Sequence, residues 1–203
     1  MRFIARFLSV LFFPLFMPIY GSFLLFSLTI FSYYPSTYIR NAYITVFIFG
    51  TAIPVVCIFI LKQLNVISDV ILTRRRDRFI PYLCTAISYF TGAVALGRLA
   101  MPKFVLMLMI AVAVALLINS IVNIWWKISA HLTGVGGLLG GILYISYQFH
   151  INPQGWIIAV MLVCGVVAAA RLYLNAHTPG QVVAGLLNGI LCAVIIPGIN
   201  FGC

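Results

Sequence analysis

Three short segments hold nearly all the side chains of this chain that could do chemistry. The first, LTRRRDRFIP over 72–81, packs Arg74, Arg75, Arg76 and Arg78 into five residues. Arginine presents a planar fork that matches the oxygens of a phosphate. On a helix leading into an apolar run, Arg75 and Arg78 are three apart and share a face. The plainer use of the same residues is an interfacial anchor that snorkels toward lipid head groups. The second segment, WWKISAH over 125–131, sets Lys127, Ser129 and His131 at alternate positions just ahead of an apolar run. Ser129 is placed to cap a helix whose N-terminus favours an anion. His131 is placed to donate a proton. The third, AARLYLNAHTPGQ over 169–181, closes a very apolar run with Arg171, then brings His177, then Gln181 one helical turn later. A charge at that depth is costly in lipid, so a partner or a function is the default expectation.

Composition says what must position these groups. Of 203 residues 64% are hydrophobic and only 7% charged, with a mean hydropathy of +1.18. Soluble domains carry roughly 45–50% apolar residues, and one of this size could not hide so much apolar surface. The expectation is an all-α, polytopic transmembrane bundle of six or seven spans, residues 1–203 forming a single membrane domain. Apolar stretches at 3–32, 41–62, 82–100, 103–121, 131–149, 156–174 and 180–197 are the candidate spans, each near or above the ~20 residues that cross a bilayer. Arg2 and Arg6 resemble a signal-peptide n-region. The run behind them is too long, and no A-x-A site follows, so it reads as a retained helix kinked at Pro14 and Pro18. Gly136/Gly140 and Gly137/Gly141 read as small-xxx-small helix contacts. An even number of spans separates the three polar segments, which places all three at one membrane face. That face also carries Arg2, Arg6 and Lys62, and the opposite face carries Arg40, Arg98 and Lys103, so charge does not fix the orientation.

Twelve Lys and Arg stand against two acids, a formal charge of +10. Asp69 and Asp77 both lie in one polar loop, which leaves too few carboxylates for paired-carboxylate glycoside hydrolysis or a carboxylate-built magnesium or calcium site. The arginines sit between apolar stretches rather than on a polar domain. That excludes nucleic acid as the reason for the charge and favours anionic head groups or phosphates. Cys57, Cys84, Cys164, Cys192 and Cys203 form no CxxC pair, and the first four fall in apolar stretches as small hydrophobes, without an expected disulfide or metal role.

In this order the three segments resemble the type 2 phosphatidic acid phosphatase family, whose core is shared with vanadium haloperoxidases. Arg171, five residues and His177 have the spacing of that family's third motif. Ser129 and His131, within Ile128-Ser129-Ala130-His131, match its Pro-Ser-Gly-His. Arg75 and Arg78 ahead of Pro81 look like a divergent first motif, with the choice among Arg74, Arg75 and Arg76 left open. The resemblance covers residues 65–190. Ile128, Ala130 and Ala170 depart from the pattern, and Gln181 stands where the family has an aspartate that orients the nucleophile.

The resemblance implies a haloperoxidase-like helical core over 63–200, after two N-terminal spans in 1–62. It implies that His177 attacks phosphorus to form a phosphohistidine and that His131 protonates the leaving oxygen. Arg75, Arg78, Lys127, Ser129 and Arg171 would hold the phosphoryl oxygens, and Gln181 would orient His177 while stabilising its charged form less than a carboxylate does. Neither metal nor cofactor is implied. The substrate would be a lipid phosphomonoester or diphosphate in a cell membrane, with the family's bacterial type the nearest pattern. Nearby cations would keep His177 neutral before substrate binds. Three alternatives remain: a family-like protein that binds anionic head groups without turnover, a small transporter or channel that uses Arg171 as an intramembrane charge, and a purely structural membrane protein. The sequence selects neither a particular lipid nor an oligomeric state.

Overall fold

In lipid every backbone N–H and C=O needs a protein partner, so long apolar stretches fold as helices. The computed structural model describes residues 2–199 and contains no strand among them. The chain runs α1 (Arg2–Leu11), α2 (Met17–Leu28), α3 (Ser36–Phe47), α4 (Ile53–Gln63), α5 (Phe79–Arg98), α6 (Lys103–Val122), α7 (Ala130–Phe149), α8 (Gln154–Tyr173) and α9 (Pro179–Gly198). Seven segments are long and apolar enough to cross a membrane: α1 with α2, α3 with α4, and each of α5 to α9. By length and composition this is the architecture of a multi-pass membrane protein, at the upper of the two span counts expected. Cys57, Cys84, Cys164 and Cys192 are free thiols, and Cys203 lies outside the described residues.

Prolines shape the first two spans. The first is broken rather than merely kinked, with a 3-10 turn over Pro14–Phe16 between α1 and α2. Proline has no N–H to give, so carbonyls near it need other donors; that of Leu15 accepts the Thr51 hydroxyl at 2.7 Å. Pro54 acts alike in the second span, where a π-type turn over Ile48–Ala52 joins α3 to α4. The carbonyls of Phe49 and Gly50 accept the hydroxyls of Ser88 (2.6 Å) and Tyr89 (3.0 Å) on α5.

Two apolar clusters form the interior. One lies among α2 to α6 around Tyr89, Leu96 and Met109. The other joins α2 to α7, α8 and α9 around Leu132, Val135 and Val167. The closest approach is between α7 and α9. Gly136 and Gly140 face the α9 backbone at Leu186 and Ile190, and Gly185 and Gly189 of α9 face the carbonyls of Ser129 and Thr133, leaving no room for a Cβ at any of the four. The other expected pair does not pack this way: a Cβ on Gly137 or Gly141 would have its nearest neighbour at 3.9 Å. The α7–α9 contact holds the N-termini of these two helices side by side, and the Ser129 N–H donates to the Gln181 carbonyl at 3.3 Å.

Candidate functional site

The third segment is built by a helix stop and a helix start. Asn175, at a φ of 50°, takes the left-handed conformation that commonly ends a helix. The N–H of Ala176 then returns to the carbonyl of Arg171 at 3.1 Å. His177 follows at once, Thr178 caps α9, and Pro179 occupies its first turn without wasting a donor. Gln181 Oε1 accepts the Thr178 N–H at 3.1 Å and meets His177 Nδ1 at 3.2 Å. A backbone N–H only donates, so the atom facing it must be the amide oxygen. That oxygen in turn requires a proton on Nδ1, which leaves the lone pair of the neutral ring on Nε2. His177 is buried, at 7% exposure. Burial, followed by the charges of Arg78, Arg171 and Lys127, pushes its pKa down to about 4 against the opposing hydrogen bond from Gln181. The imidazole is therefore neutral at pH 7.

The first two segments meet across fifty residues of sequence. Arg78, only 6% exposed, donates from Nε to the Leu72 carbonyl at 2.9 Å and from a terminal nitrogen to the Ile128 carbonyl at 3.2 Å. Arg75 donates to the carbonyl of Trp125. The two arginines thus do share a face, and they grip the same loop three residues apart at both ends. They do not share a destination. Arg78 is a charge neighbour of both histidines, of Lys127 and of Arg171. Arg75, expected among the phosphate ligands, instead lines a separate recess with Arg76, Phe79, Ser120 and Asn123. Lys127 does join the site, half-buried, its pKa lowered by burial and then by Arg78 and Arg171. Ser129 occupies the cap position of α7 but its hydroxyl makes no capping bond; it is 0% exposed and its Oγ has no partner.

His131 is engaged by a residue that sequence reading missed. Its Nε2 lies 3.0 Å from the carbonyl of Ser9 on α1, which can only accept, so Nε2 carries the proton. Its ring meets Phe13 edge-on at 5.8 Å. Arg171 donates to the Ser9 hydroxyl at 3.3 Å, while its buried Nε has no partner. Ser9 is buried because α1 is two-faced: Ala5 and Ser9 turn inward, and Phe3, Ile4 and Phe7 are exposed. The small pair four residues apart was the available signal. A second missed set lies beneath the site, where Asn119 donates to the Thr133 hydroxyl and Asn188 donates to Asn119, both at 3.0 Å, tying α6, α7 and α9 together.

Two imidazoles and three cations therefore gather where α5, α7 and α9 all begin, and helix N-termini add partial positive charge. The two acids are spent elsewhere: Asp77 accepts from Ser68 and Asp69 from Thr73. Among the described residues no three His, Cys, Asp or Glu side chains come close enough to hold a metal ion. Chemically, the arrangement suits a multiply charged oxyanion placed against an unprotonated imidazole nitrogen. No protein-family model matches this chain, and no curated protein or solved structure matches it either.

Proposed function

We propose that the protein is a metal-independent lipid phosphate phosphatase that works through a phosphohistidine. The observation that carries this reading is the Gln181 amide, held by the Thr178 N–H and in turn fixing His177 with its proton on Nδ1. Nε2 is then a free nucleophile beside Arg78, Lys127 and Arg171. In the first step Nε2 attacks phosphorus and the bond to the lipid oxygen breaks. The three cations neutralise the phosphoryl oxygens as charge builds. His131 gives the leaving oxygen a proton from Nδ1; Nε2–H stays with Ser9, so that proton comes from the phosphomonoester monoanion, which transfers it to Nδ1 on binding and offsets the neighbouring cations as a dianion. Water then cleaves the phosphorus–nitrogen bond and releases phosphate. Phosphatidate, phosphatidylglycerophosphate, polyprenyl phosphates and diphosphates, and lipid A phosphate all present this chemistry at an interface.

The test is phosphate release from such a panel in detergent, wild type beside His177→Ala and His131→Ala. His177→Ala is expected to abolish release, and His131→Ala to cripple it least on substrates with good leaving groups. Full activity in both variants overturns the reading. A second reading, head-group binding without turnover, is favoured by the bond that commits His131 to Ser9 and by the neutrality of Gln181. Vanadate separates the two, because it blocks turnover only where there is turnover to block.

A further inference from the structure

Below the cation cluster lies an apolar cavity of about 130 Å³ lined mainly by α2, α5, α6, α7 and α9. Its lining begins at Ala130 and Pro14 and reaches Leu96, Val105 and Ile145. The first end adjoins the site. Ala130 stands between Ser129, whose buried hydroxyl is unpartnered, and His131, while Pro14 follows the Phe13 ring that packs on His131. The other end lies near the close of α5 and α7 and the start of α6, at the opposite membrane face. Ala130 and Ile145 are fifteen residues apart on α7, a rise of about 22 Å, most of the ~30 Å hydrocarbon core. The lining therefore spans most of the apolar depth.

Its walls offer an occupant no free hydroxyl donor. The hydroxyls on the wall are Ser22, Tyr89 and Thr133, and each donates to the protein: Ser22 to the Ile19 carbonyl, Tyr89 to that of Gly50, Thr133 to that of Ser129. Gly137 and Gly141 line this space, and a Cβ on either would have its nearest neighbour at 3.9 Å. Cations at one end and an apolar cavity beneath them describe the two halves of one kind of molecule, an anionic head on a hydrocarbon chain.

We infer that this cavity takes one hydrocarbon chain of the amphiphile whose phosphate sits among Arg78, Lys127 and Arg171. The inference rests on the phosphate-handling reading of that cluster and names the shape of its ligand. The chain threads inward between helices rather than lying along the outer surface of the bundle. Gly137 and Gly141 keep the cavity open, since any side chain there would project into it.

The probe is hexadecyl phosphate carrying a diazirine on its last carbon, photolysed with purified His177→Ala protein in detergent so that the head group is retained. Labelling is expected at Leu96, Val105 or Ile145, displaced by unlabelled hexadecyl phosphate. Gly141→Leu is expected to reduce it at least tenfold, with Gly137→Val as the substitute if the first variant fails to fold. Label on outward residues such as Ile158 and Leu162, or label indifferent to a folded Gly141→Leu or Gly137→Val, overturns the inference. Deep labelling in a protein that releases no phosphate from any lipid would leave the chain site standing and remove the phosphatase reading. Phosphate release with purely external labelling would do the reverse.

Discussion

At the scale of single residues, the group that meets Nδ1 of His177 is the neutral amide of Gln181. Burial first, and then the charges of Arg78, Arg171 and Lys127, hold the His177 pKa at about 4 against an ordinary 6.5, and the hydrogen bond from Gln181 only partly opposes them. The acid limb of kcat/KM is therefore expected near pH 4 rather than 6.5. Gln181→Glu places a charge beside the ring and is expected to move that limb upward by roughly one to two units, read from a pH–rate profile. Stability follows the same shift. The unfolded chain takes up the His177 proton at higher pH than the folded one, so stability falls as pH drops from 6.5 toward 4 and is indifferent to this group above 6.5. His177→Ala is expected to flatten that slope in thermal unfolding. The two arginines offer a sharper contrast. Arg78→Ala removes a cation from the site and is expected to lower kcat/KM by about 10²–10³-fold. Arg78→Lys is not expected to restore it, because one ammonium does not reproduce a fork that grips the carbonyls of Leu72 and Ile128. Arg75→Ala, whose fork meets the Trp125 carbonyl, is expected to change the rate less than about fivefold, the scale of a surface contact.

At the scale of helices, the site depends on how closely α7 and α9 approach. Their glycines let the two N-termini lie side by side, which brings Ser129 against Gln181. Gly189→Ala would drive a methyl group into the Thr133 carbonyl and the Gly137 amide. A cost of about 1–3 kcal/mol is expected, with a lower unfolding temperature in detergent and weaker activity as the helices part. Gly165 on α8 has nothing within 4 Å of an added Cβ. Gly165→Ala is expected to be neutral or to stabilise by up to about 1 kcal/mol, from helix propensity alone. A measured loss at Gly165 equal to that at Gly189 would mean that the interface between α7 and α9 is not what limits stability.

At the scale of the whole molecule, even spacing between the polar segments brings loops from distant parts of the chain to one face. Single cysteines at Ile71 and Asn175, in a background lacking the native thiols, are expected to react with an impermeant maleimide from the same side of sealed vesicles. A cysteine at Tyr33, between α2 and α3, is expected to react only from the other side. Reaction of Ile71 and Asn175 positions from opposite sides would dismantle the site. Much of this was legible in the sequence. Hydropathy marked the seven spans and came within two residues of the limits of α6 to α9, but it began the second span at 41 rather than 36 and gave no sign of the turn over Ile48–Ala52; the contact between His177 and Gln181 follows from residues one helical turn apart. What the sequence left open was which side of each element meets which neighbour. It did not separate Arg78 from Arg75, did not give Ser9 to His131 and Arg171, and did not show that Gly136/Gly140 packs while Gly137/Gly141 lines a cavity. Helix formation and membrane crossing are set by neighbours within about one turn or one span, so a linear reading recovers them. Partners such as Ser9 and Arg171 lie on helices far apart in the chain, and only the packing of the complete bundle decides that they touch.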